Sequence, residues 1–132
     1  MESFYLHFNS NLCDQTSNWE YFIYLPEYLE CGPDYEIALT FCSYSHATQI
    51  RYFCTDLIEP QFLHDEKVRI LKVLPPVTKN YRNLFTPVYV PMSKQSLKFN
   101  SFSIYIMSAN VSRLSLKTAL YGTLHIRKVV RH

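Results

Sequence analysis

Glycine is nearly missing from this chain of 132 residues, where only Gly32 and Gly122 occur. Tight two-residue hairpins are therefore scarce, and strands must be joined by longer connections. No Cys-x-x-Cys spacing links Cys13, Cys31, Cys42 and Cys54, and the opening residues are not expected to act as a secretory leader, so four free thiols are expected rather than a disulfide framework. No apolar run approaches the ~18 residues a membrane span needs. Met1 to His7 alternates apolar and polar residues where a leader would carry a basic segment and an apolar block. A sustained 3.6-residue apolar period is also absent: Ser112 to Lys117 is the best helical candidate, long enough for a turn or two. There is no Gly-rich phosphate loop and no Gly-x-Ser-x-Gly elbow. His7, His46, His64, His125 and His132 stand singly, so the paired-histidine metal site of a β-sandwich enzyme has no candidate.

What is present is strand-forming. The composition is 48% hydrophobic, 16% aromatic and 18% charged, which excludes disorder and suits one domain over residues 1–132 with a self-sufficient core. Alternating or apolar runs mark strands at Phe4 to Phe8, Tyr21 to Leu25, Tyr35 to Cys42, Ile50 to Thr55, Val68 to Leu74, Val88 to Val90, Phe102 to Ile106 and Leu120 to Arg127. Val88 to Val90 lies between Pro87 and Pro91, which marks an edge. About eight antiparallel strands with long connections and no repeat predict an all-β fold, a single jelly-roll sandwich of two sheets. In the Ile50 to Thr55 run neither face is cleanly polar, as expected of a strand that packs a core and also touches a neighbour.

Chemistry-bearing residues are sparse. Asp56 and Glu59 are three apart at a strand end, which does not set them across a cleft as paired carboxylates, and Asp56 is read as a strand-end or turn group. His64-Asp65-Glu66 reads as a solvated loop, while Cys42 and Cys54 lie in apolar strands as small buried hydrophobes. Asn110-Val111-Ser112 matches a glycosylation acceptor and is read as coincidental. No catalytic, cofactor-binding or metal site is expected, and the chain is read as non-enzymatic. Eleven tyrosines and nine phenylalanines exceed what the core must hold, so some are expected at subunit contacts; Tyr52, Phe53, Glu59, Pro60 and Tyr89 are the candidates. A net charge of +2 is too mild to imply nucleic acid. Only the basic tail from about residue 127, with Arg127, Lys128 and Arg131, offers a contact for a polyanion such as packaged DNA; the alternative is a solvated terminus.

Several segments, in order, resemble the small single-jelly-roll capsid proteins of Maverick/Polinton elements and adintoviruses. They are Tyr35-Glu36-Ile37-Ala38-Leu39, Cys54-Thr55-Asp56-Leu57-Ile58-Glu59-Pro60-Gln61, Ile70-Leu71-Lys72-Val73-Leu74-Pro75, Tyr89-Val90-Pro91-Met92 and Thr123-Leu124-His125-Ile126-Arg127-Lys128. Tyr35 stands where tryptophan is expected, and Ser108 to Leu114 lacks the expected glycine- and proline-bearing turn. The resemblance implies a penton, or minor capsid, protein of the virion, made in the host cell, pentameric and surrounded by a double-jelly-roll major capsid protein. Head-to-tail contacts close such a ring. The connections Pro26 to Asp34, Ile58 to Lys67 and Met92 to Lys98, with the termini, are expected at the end that faces neighbours or the shell interior. A lectin-like or cytokine-like binding sandwich is the alternative reading, and a small β-sandwich enzyme, opposed by the missing histidine pair, is a third.

Overall fold

The computed structural model describes residues 2–44, 49–76, 81–84, 86–115 and 119–129. Among these residues are twelve strands: β1 (Ser3–Asn9), β2 (Asp14–Gln15), β3 (Tyr21–Leu29), β4 (Tyr35–Tyr44), β5 (Arg51–Thr55), β6 (Gln61–Leu63), β7 (Glu66–Val68), β8 (Ile70–Leu74), β9 (Tyr81–Leu84), β10 (Val90–Pro91), β11 (Phe99–Ser108) and β12 (Tyr121–Lys128). Three short 3-10 turns accompany them, and no described helix is long and apolar enough to cross a membrane. The fold is all-β and every strand pairing is antiparallel.

The first sheet runs β1-β12-β4-β10, with β9 also on β4; the second runs β2-β3-β11-β5-β8; β6 and β7 form a separate ribbon. The expected count of about eight strands in two sheets is thus corrected to twelve in three. The additions, β2, β6, β7 and β9, have two to four residues each, too short to show a periodicity. Another difference lies at Pro26, where β3 continues instead of stopping. Between the pairs Tyr24↔Ser101 and Leu29↔Phe99 its register shifts, so the proline falls in an irregular arc of the strand.

Alternation explains the core. Phe8 of β1, Ile37 and Leu39 of β4, and Leu124 and Ile126 of β12 meet Phe53 of β5, Leu71 and Leu74 of β8, and Phe102, Ile104 and Ile106 of β11. Phe8 and Phe53, from opposite sheets, have ring centroids 5.6 Å apart. Gly122 fills a place where nothing larger fits: an added Cβ would lie 2.3 Å from the Phe41 carbonyl oxygen and 2.9 Å from Phe8 Cζ.

The sheets differ on their outer sides. The first carries Ser3, Tyr5 and His7 beside Thr123, His125 and Arg127, a half-polar face. Behind the second sheet lies a smaller apolar cluster of Cys54, Val68, Tyr105 and Met107, flanked by Tyr52, Leu63, Ile70 and Val111. The β6–β7 ribbon and the turn after β11 supply Leu63, Val68 and Val111 to that cover. In that turn Val111 adopts φ 66°, with Ser108 N donating to Ser112 O at 2.8 Å. A left-handed valine costs on the order of 1–2 kcal/mol, a conformation that glycine would adopt freely.

At one end the connections interlock. Cys31 N donates to Ser96 O and Leu97 O, Ser93 N donates to Leu57 O, and Ile58 bridges Met92. Lys128 N donates to Glu2 O and Val129 N to Asp34 O, so both ends of the described chain meet there.

Candidate functional site

The densest side-chain constellation stands on the outer face of the first sheet. Register places it: β12 lies between β1 and β4, with His125 opposite Tyr5 and Ala38, and Arg127 opposite Ser3 and Glu36. Tyr5 stacks on the His125 ring at 4.5 Å between centroids, with 16° between planes. The Tyr89 hydroxyl lies 2.7 Å from His125 Nδ1, and Ser3 Oγ lies 2.6 Å from Nε2. Arg127 completes the group, its guanidinium carbon 3.5 Å from the Tyr89 ring centroid and its Nε donating to Glu36 Oε1 at 2.6 Å.

Desolvation, and then the nearby Arg127 charge, holds His125 below the ordinary histidine range. The ring is therefore neutral at pH 7, with one nitrogen donating and the other accepting, so the two hydroxyls play opposite roles. A Ser3–His125 pair invites comparison with a nucleophile and its base. Its third member is a tyrosine hydroxyl instead of a carboxylate, and the carboxylate nearby, Glu36, is engaged by Arg127. Tyr5 is 58% exposed, so water is not excluded. The arrangement suits recognition through rings, hydroxyls and one guanidinium.

The candidate residues from the sequence scatter. Tyr89 and Arg127, assigned to separate roles, come together in this constellation. Tyr52 is half-buried in the cluster behind the second sheet. Phe53 is fully buried in the main core, and its assignment as a contact residue is corrected: within β5 it points inward while Tyr52 and Cys54 point outward. Glu59 and Pro60 are exposed at the interlocked end, where Glu59 Oε1 accepts from Lys94 N at 3.2 Å. Lys128 is exposed, and Arg131 lies outside the described residues, as do His46 and His132. Sequence reasoning missed Ser3, Tyr5 and His125, since the Ser3–His125 contact spans a separation of 122 residues.

Asp56, just past β5, accepts from Ser103 N at 3.0 Å, which fits its reading as a strand-end group. Burial raises its carboxyl above the usual range, offset in part by the Ser103 amide and reinforced by Glu20. Glu20 pairs with Arg113 at 3.4 Å, and Arg113 caps the Tyr105 ring at 4.1 Å from its centroid. All four cysteines are free, and burial pushes Cys42 and Cys54 up to about 12. Among the described residues no three His, Cys, Asp or Glu side chains converge as a metal site would need. No protein-family model, curated protein or solved structure matches the chain.

Proposed function

We propose that the chain is a single jelly roll serving as a non-enzymatic structural protein, the penton or minor capsid component that closes an icosahedral vertex as a homopentamer. The observation that carries this reading is the nesting of the main strands: β1 pairs β12, β3 pairs β11, β4 pairs β10 and β5 pairs β8. Taking those eight strands in chain order, first pairs with last, second with seventh, third with sixth and fourth with fifth. A long antiparallel ribbon rolled on itself would give that nesting, which supports the jelly-roll reading. The two dissimilar outer faces support this reading, since a head-to-tail ring requires subunits with unlike contact surfaces.

The expected partners are copies of itself and a double-jelly-roll major capsid protein. For packaged DNA the basic tail is weaker than its charge suggests, because Arg127 is engaged by Glu36. The alternative, a lectin-like or cytokine-like binding sandwich, draws support from the exposed Tyr5 beside His125, Tyr89 and Arg127.

The test is co-expression with the double-jelly-roll major capsid protein of the same element, followed by purification of assembled shells and electron microscopy. Five copies of this chain at each five-fold vertex are expected. Shells with vertices built entirely of other protein, from cells that accumulate this chain in soluble form, would overturn the reading.

A further inference from the structure

The outer edge of β1 differs from the other edges of the two five-stranded sheets among the described residues. β10 has two residues and ends in Pro91, and β2 also has two. The part of β3 beyond β2 contains Pro26 and Glu27 in its irregular arc, β8 carries Lys72 and is followed by Pro75-Pro76, and β9 contains Arg82. Proline, charge and irregularity are the devices that keep sheet edges from pairing. β1 uses none of them. Its seven residues, Ser3-Phe4-Tyr5-Leu6-His7-Phe8-Asn9, stay in unbroken register with β12 and contain no proline, lysine, arginine, aspartate or glutamate.

The hydrogen-bond phase of that edge follows from its two ends. Lys128 N donates to Glu2 O at 2.7 Å and Ser10 N donates to Leu120 O at 2.8 Å, so the even-numbered residues turn their amides and carbonyls toward β12. Ser3, Tyr5 and His7 therefore aim theirs outward, as does Asn9, whose carbonyl already accepts from Cys13 Sγ at 3.2 Å. An antiparallel copy of the same strand centred on Leu6 would set Tyr5 against His7 and Ser3 against Asn9, all with outward groups. It would also bring Phe4 against Phe8 and Leu6 against Leu6 on the core side, where Phe4 and Leu6 are only half-buried. Charge also decides for this edge: self-pairing at β1 opposes no like charges, whereas β8 paired with itself about its centre would set Lys72 against Lys72.

We propose that the free protein forms a two-fold dimer by antiparallel pairing of β1 with β1 of a second copy, merging the two first sheets into one. This is an isologous contact, distinct from head-to-tail ring contacts, and it goes beyond the vertex reading. On the outer face it extends the ring stack, since each Tyr5, already stacked on its own His125, gains the other copy's His7 as its opposite neighbour.

Light scattering of the reduced protein across a concentration series should give a mass twice the 15.7 kDa of the chain. Tyr5→Pro removes an outward amide that β12 does not use, and His7→Lys places a gatekeeping charge on the edge. Each should weaken dimerisation at least tenfold with the β-sheet circular dichroism retained. Amide exchange supplies a readout that needs no variant: Tyr5 and His7 should gain protection with rising concentration, while Phe4 and Leu6 are protected throughout. A monomer at every concentration, or an oligomer in which the Tyr5 and His7 amides stay unprotected, would overturn the proposal.

Discussion

Asp56 and Gly122 show how single positions are fixed by surroundings that sequence spacing does not reveal. Burial holds the Asp56 carboxyl above the usual range even though the Ser103 amide stabilises its charged form. The folded state then keeps this proton to higher pH than the unfolded chain, so stability falls as pH rises through that raised value. Asparagine keeps an oxygen for the Ser103 amide and carries no charge. Asp56→Asn is therefore expected to raise the urea midpoint at pH 7, with the gain shrinking toward pH 3; a lower midpoint at pH 7 would mean that the charge itself is needed. Gly122 poses a steric problem. A methyl there would meet the Phe41 carbonyl oxygen at 2.3 Å, and because that atom belongs to the backbone β12 must shift. Gly122→Ala should cost about 2–3 kcal/mol in equilibrium unfolding, at the upper part of the overpacking range, and a loss below about 0.5 kcal/mol would show that β12 has slack.

At the level of elements, the β6–β7 ribbon seals an apolar surface on the far side of the second sheet. Val68 is 3% exposed and Cys54 0%, both in the cluster that the ribbon covers, and burial pushes the Cys54 thiol up to about 12. Removing two methyls with Val68→Ala should cost about 2 kcal/mol. If the ribbon opens as a unit of its own, Cys54 alkylation at pH 8 should accelerate while Cys42, in the main core, stays slow. Equal acceleration of both would show that the ribbon opens only with the whole fold. β1, β4, β11 and β12 were legible because alternation over five or more residues survives in each of them. The ribbon was not, since Gln61-Phe62-Leu63 and Glu66-Lys67-Val68 are too short for a period and are joined by a polar tip. Phe53 was misplaced for a related reason: both faces of β5 are apolar, so composition could not say which side was the core. Of the first-sheet constellation, Tyr89 and Arg127 were visible one at a time, but pairing β1 with β12 depends on register across nearly the whole chain.

That long-range pairing governs how the whole molecule folds. β1 is made first and needs β12, made last, so the Ser3↔Arg127 pairing closes a loop of nearly the full chain length. Sheets built from such contacts fold slowly, because closure entropy is lost before any contact compensates it. The geometry offers a direct manipulation, since Lys128 N lies 2.7 Å from Glu2 O. A short glycine linker joining the two ends would turn β12 and β1 into neighbours in sequence. New termini can be opened between His64 and Asp65, which are exposed at the tip of the β6–β7 ribbon. Shrinking that loop from more than a hundred residues to a handful lowers its closure cost by about 2–3 kcal/mol. If the β1–β12 pair forms in the folding transition state, the permuted chain should refold at least tenfold faster, with its unfolding rate nearly unchanged. An unchanged refolding rate would place the nucleus elsewhere, in the β11–β5–β8 half of the second sheet, where β5 and β8 are closer in sequence and β1 docks only after the barrier.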